Sequence, residues 1–168
     1  ASLVTHLFNA MSQLGNREPG LVGAVLTQDI AAGVIADGIH VAPAALRIAL
    51  SARPDGLFLV SDCMAAAGTD LTEFQLGGRR ILRHGGRLTL ENGTLAGADL
   101  TLTRALAVMV HQIGLPPERA LGMATRTPAQ LIGRDDLGHL TAGASSDMVH
   151  MTNAFQVQAV WQGGKKRL

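Results

Sequence analysis

The chain has 168 residues and a formal charge of +1, with a single cysteine, Cys63. That length suits one domain with a real core. The near-neutral charge gives no electrostatic footing for a nucleic acid or an anionic membrane, and one cysteine excludes an internal disulfide. Hydrophobic residues make up 47% and aromatics only 3%, so the core must be aliphatic.

In chain order, "SLVTHLF" (2–8) is the first apolar run, and it stops at His6. "EPGLVGAVLTQ" (18–28) follows as a helix with proline near its start. "AAGVIADGIH" (31–40) is a second apolar run, ending in Asp37 and His40, and "APAALRIALSAR" (42–53) is a second helix. "GLFLVSD" (56–62) is a third run, ending at Asp62. The stops at His6, Asp37 and Asp62 lie 31 and 25 residues apart, a βα repeat. Runs with no polar alternation predict strands buried on both faces, as in a parallel sheet.

Gly-Gly, Gly-Gly and Asn-Gly punctuate residues 74–97, which predicts a β-hairpin excursion. One helix is expected over 100–114, with Leu106, Met109, Val110 and Ile113 on one stripe and Gly114 as its stop. Prolines then open helices at 115–125 and 127–133, and 147–168 reads as short strands around turns. The pattern changes from helical to β near Gly133–Gly138. The expected division is therefore 1–135 and 136–168.

Polar residues at the carboxyl ends of parallel strands mark the functional rim of a βα barrel and of open α/β sheets. Here the three ends bring a metal-ligand type, an acid/base type and a substrate-contact type to one rim. Each has a plainer reading. A lone histidine is commonly a structural hydrogen-bonder, and Asp37 or Asp62 could cap a turn. His84, His111, His139 and His150 fall outside the strand-end pattern. Cys63 is expected to be a buried thiol. Met64, Met109 and Met123 are expected in the core.

The ordered motifs "THLFNAM", "REPGLVGAVL", "IADGIHV", "LVSDCMAAAG" and "NGTLAGADLTL" resemble the N-acetylglucosamine-6-phosphate deacetylases of the amidohydrolase superfamily. The resemblance runs through essentially the whole chain. "LGHLTAGASSDMVHM" resembles the return from barrel to small β-sandwich, although Asp147 departs from the family's Lys-and-Ala turn.

The resemblance implies an α/β fold: the last three strands of a TIM (β/α)8 barrel in residues 1–135, then sandwich strands in 136–168. It implies hydrolytic removal of acetate from N-acetylglucosamine 6-phosphate. By it, His6 is a metal ligand and Asp62 the catalytic acid/base. Asn9, Ala10, Arg17, Asp37, Gly38, Ile39, His40, Leu95, Ala96 and Gly97 bind substrate, with the phosphate the target of Arg17. The cofactor is a divalent metal ion, zinc by default, with iron, cobalt or manganese compatible with the same ligand types.

A complete barrel takes about 250 residues. The family's upstream half, with its other metal ligands, is therefore the expected partner of this chain, together with a second copy in a homodimer. The single cysteine and the lack of a visible signal peptide suit a cytoplasmic enzyme. Two alternatives stand beside this reading. One is an amidohydrolase acting on another N-acetyl sugar or a cyclic amide, and the other is an inactive scaffold or dimerisation module.

Overall fold

The structure is a computed structural model and describes residues 2–168; Ala1, the first residue of the expected barrel segment, lies outside them. Three strands, β1 (Leu3–Val4), β2 (Ala31–Val34) and β3 (Leu57–Leu59), form a parallel sheet in that order. Leu3 pairs with Ala31, and Ala32 with Leu57. Helices α1 (Gly20–Thr27) and α2 (Pro43–Ala52) make the two crossovers. The strands are shorter than the apolar runs because the chain leaves extended conformation before each polar stop.

β2 is buried along its whole length and built of small residues. At Gly33 a Cβ would lie 2.7 Å from Val60 Cγ1, so the neighbouring chain closes over a residue with no side chain. Proline fits the start of α2 at its first position, where the missing N–H costs nothing. α1 is capped from a distance. Ser12 Oγ accepts from Leu21 N–H at 2.8 Å, and the Ser12 carbonyl accepts from Val22 N–H at 3.3 Å. Two of the helix's free donors are thereby satisfied, and the preceding loop is tied to the helix.

The excursion is larger than the single hairpin expected. The three glycine turns join four antiparallel strands: β4 (Glu73–Leu76), β5 (Arg79–His84), β6 (Arg87–Leu90) and β7 (Leu95–Ala98). Its own small core is Ala66, Ile81 and Leu88. Arg83 holds this sheet to the preceding loop. It forks onto Asp99, at 2.7 and 3.0 Å, and donates to the carbonyls of Thr69 and Leu71.

The helix expected over 100–114 is two pieces. α3 (Leu102–Ala107) runs into a π-helical segment, Val108–Ile113, closed by Gly114. Leu106 and Met109 face the core as predicted. The apolar stripe has the α-helical spacing, so it gave no sign of the local change to i→i+5 bonding. Arg47 of α2 donates to the Gln112 carbonyl at 2.6 Å, satisfying one acceptor at the segment's end.

α4 (Pro117–Ala124) and α5 (Arg126–Leu131) follow. Three antiparallel strands then close the chain: β8 (Met148–Met151), β9 (Val157–Gln162) and β10 (Lys165–Lys166). Met151 and Phe155 pack against the main core. That core is aliphatic, as composition required: Leu7, Val25, Ile35, Leu46, Leu100 and Met109 are among its fully buried members. Among the described residues, no helix is long and apolar enough to cross a membrane.

Candidate active-site rim

His6, Asp37 with His40, and Asp62 follow β1, β2 and β3, so parallel pairing sets all of them along one edge of the sheet. His6 does not continue the strand. It adopts φ +33°, and Phe8 and Ala10 are also left-handed, at +77° and +51°. Asp62 has φ +47°. Left-handed backbone in residues with side chains is strained, and such strain collects where function fixes a conformation. Of five such residues in the described chain, four lie in these two segments.

The turn after β1 is anchored by its neighbour. Leu7 is fully buried, and its N–H donates to the Gly33 carbonyl at 2.8 Å. Gln13 braces the same loop by donating to the carbonyls of Phe8 and Met11, at 2.7 and 2.9 Å. The His6 ring bonds through Nδ1 to the Asn9 carbonyl at 2.9 Å. A carbonyl only accepts, so Nδ1 carries the proton and the Nε2 lone pair is left free. That is the form a metal-binding histidine needs. Among the described residues, however, no three His, Cys, Asp or Glu side chains are grouped to hold an ion. His6 therefore fits a metal as one ligand of a set, and the described residues do not supply the rest.

Asp37 and His40 form a buried pair. The Asp37 side chain is 2% exposed and that of His40 7%, with Oδ2 and Nδ1 2.6 Å apart. Asp37 Oδ1 accepts from the N–H groups of Ile39 and His40, each at 2.8 Å. Burial pushes the Asp37 carboxyl up. The donors from His40 and Ile39 outweigh it, and the net position is below the usual carboxylate value of 3.8. A carboxylate depressed in the folded state stabilises the fold above its unfolded value. That contribution is lost as pH falls through the lower, folded value. Acid unfolding should therefore show an Asp37-dependent loss of stability below about pH 4. Asp37→Asn should flatten that limb of a stability–pH curve measured by urea unfolding. An unchanged limb would place the acid sensitivity elsewhere.

Asp62 and Cys63 are exposed. The thiol expected in the core lies outside it, because the left-handed Asp62 turns the chain out of β3. β7 lies alongside this turn: Ala98 N–H donates to the Asp62 carbonyl at 2.9 Å, and Met64 N–H to the Ala98 carbonyl at 3.1 Å. Ala98 thus ties the end of β7 to the Asp62 turn and brings Gly97 beside it. Gly97 has φ +73°, and a Cβ there would meet Met64 Cγ at 2.4 Å. Only glycine lets β7 come this close to the Asp62 turn.

Arg17 is exposed in the loop between Ser12 and α1 and makes no ion pair among the described residues. Asn9 is half-buried and donates to the Leu7 carbonyl at 3.4 Å. His139 bonds to the Asp135 carbonyl and to Thr141, and His111 stacks edge-on against Phe155, so both take structural parts as expected. A groove of about 1070 Å³ lies away from the rim, between α4–α5 and the C-terminal sheet. Ile132, Leu140, Met148 and Trp161 are among its lining residues, and none of the predicted site residues belongs to it.

Sequence reading missed Ser12 and Gln13, which shape the loop after His6. It also missed Met64, which covers Gly97. Gln13 bonds within its own loop and Ser12 nine residues on, but neither forms a recognised turn or cap motif, and Met64 meets Gly97 only through folding.

The sequence profile described as "Amidohydrolase family" matches residues 2–167. An N-acetylgalactosamine-6-phosphate deacetylase of Shewanella sp. (strain ANA-3) is 40% identical over 167 residues, which are 98% of this chain and 42% of that protein. A relative from Escherichia coli (strain K12) is 37% identical over 162 residues, 95% of this chain and 97% of its own length. The crystal structure of N-acetylglucosamine-6-phosphate deacetylase from Pasteurella multocida has a similar α/β fold. Its TM-score is 0.96 at 37% identity, over 99% of this chain and 45% of that one. The chain thus spans less than half the length of the Shewanella relative and of the Pasteurella structure. A profile match from residue 2 to residue 167 takes in the parallel strands, the four-stranded excursion and the C-terminal sheet alike, and the chain belongs to the amidohydrolase family.

Proposed function

We propose that this chain takes part in metal-dependent hydrolysis of an N-acetylhexosamine 6-phosphate, releasing acetate and the free amino sugar phosphate. The observation that carries this reading is the rim itself. His6 and Asp62 stand at the ends of parallel strands in strained, braced turns, with Gly97 pressed against the second. The names of the relatives, which cover both the gluco and the galacto sugar, support the substrate class.

In this reading residues 1–135 are the last three strands of a (β/α)8 barrel, and 136–168 are strands of a small β-sandwich. The rest of the barrel supplies the remaining metal ligands, and the enzyme works as a cytoplasmic homodimer. His6 holds the ion, zinc in the first instance, through Nε2. When bound, a divalent ion polarises the amide carbonyl and acidifies water. The Asp62 carboxylate accepts the attacking water's proton and returns it to the leaving amine. Asn9, Ala10, the Asp37–His40 turn and Leu95–Gly97 surround the sugar.

Acetate release from N-acetylglucosamine 6-phosphate and N-acetylgalactosamine 6-phosphate, measured on the intact protein with zinc added, tests the reading. Turnover of either sugar supports it and names the epimer; release from neither overturns it. The galacto sugar is the second reading, favoured by the 40% identity to the Shewanella relative.

The 168-residue polypeptide by itself should retain well under one equivalent of metal after dialysis, because His6 is the one proposed ligand and the described residues hold no cluster of three. Full retention would show that a complete ligand set lies within these residues.

Arg17 is proposed to read the phosphate through its guanidinium fork. Arg17→Ala should raise KM for the phosphosugar about tenfold or more, the scale of a charge-assisted hydrogen bond. KM for the unphosphorylated sugar should hardly change. Equal losses on both sugars would assign Arg17 to the loop alone.

A further inference from the structure

The structure assigns to Asp37 the part of a positioning residue that fixes the ring of His40 in one tautomer, with Nδ1–H held inward and Nε2 as the nitrogen offered to ligand. The carboxylate is itself immobilised. Oδ1 is occupied by two backbone N–H donors, and Gly38, at φ +73°, closes the turn that brings them round. Oδ2 is then the one oxygen left for the ring, and it lies 2.6 Å from Nδ1. Three donors on a carboxylate that is 2% exposed keep it ionised, in line with its lowered pKa. An ionised carboxylate only accepts. Nδ1 must therefore carry the proton, and in the neutral ring the lone pair is on Nε2.

His6 reaches the same tautomer by a different partner, the Asn9 carbonyl. The two histidines differ in charge environment: one is backed by a neutral acceptor and the other by an anion. Nε2 of neutral His40 meets a ligand as an acceptor, which suits a sugar hydroxyl. This substrate-facing half of the inference rests on the deacetylase reading, whereas the tautomer does not.

The test is long-range 1H–15N correlation of the ring nitrogens, with the six histidines labelled and His40 assigned by its loss in His40→Gln. It is run at a pH where the ring is neutral. Wild type should show a protonated Nδ1 and a bare Nε2. Asp37→Asn should lose this single form, because its amide can donate to Nδ1, and Asp37→Glu should restore it at least in part. A wild-type ring with the proton on Nε2 overturns the inference. So does an Asp37→Asn ring that keeps the wild-type form. If Asp37→Asn fails to fold, the wild-type spectrum alone decides.

In the active enzyme, Asp37→Asn should lower kcat/KM about 10- to 100-fold, the scale seen when a partner that orients a site histidine is removed. Adding it to His40→Gln should cost nothing more. A wild-type protein without turnover would sink the deacetylase reading and leave the tautomer to the spectra.

Discussion

Asp62→Asn should lower turnover of the N-acetylhexosamine 6-phosphate by about 100-fold or more, the usual scale for a general acid/base. KM should stay within a few fold. The amide matches the carboxylate in shape but cannot take a proton from water. Asparagine also tolerates the left-handed backbone that Asp62 adopts at φ +47°, so the turn should survive. Asp62 is exposed, so the melting temperature should change little. Steady-state kinetics beside a thermal scan separate the two effects. Near-normal turnover would remove Asp62 from the chemistry, and a large fall in melting temperature would make its role structural.

Leu7→Ala should destabilise the protein by about 2–5 kcal/mol, the range for deleting a fully buried leucine side chain. That is a large share of the roughly 5–15 kcal/mol by which domains are stable. The cost has a functional side, because Leu7 is the anchor between His6 and Asn9. Its side chain is in the core while its N–H is paired to Gly33. A shallower anchor lets the left-handed turn relax, and the His6 ring loses its fixed aim. Urea unfolding measures the first effect and zinc affinity of the intact enzyme the second. A cost below about 1 kcal/mol would show that the turn is held by its backbone bonds rather than by Leu7.

The same physical distinction separates what was legible from what was not. The aliphatic core, the parallel strands with helical crossovers and the proline-started helices are local matters of composition and period, and all were readable. So was the placing of His6, His40 and Asp62 on one rim, because parallel strands with right-handed crossovers leave their carboxyl ends together. The approach of β7 to the Asp62 turn had no counterpart in the sequence reading, where Leu95–Gly97 entered only as substrate-binding residues implied by the family motifs.

The four-stranded excursion was half legible. Its three glycine turns were visible, but their number was not converted into four strands. The π-helical segment was hidden, because the stripe at 106, 109, 110 and 113 has ordinary α-helical spacing and nothing in it marks a local widening to i→i+5 bonding. Cys63 was misplaced because a strand pattern shows no sign of a left-handed residue at its end.

By itself, then, the sequence determined the aliphatic core, the βα order and the residue types at the strand ends, which follow from short-range pattern, and the family, which follows from the ordered motifs. Only the tertiary structure decided the capping of α1 by Ser12, the covering of Gly97 by Met64 and the turns that aim the rim. It also decided that a carboxylate with 2% exposure keeps its charge beside His40. Each of these is a hydrogen bond, a burial or a close approach whose geometry the local residue pattern does not mark. Their energies exist only once the chain has brought the partners together.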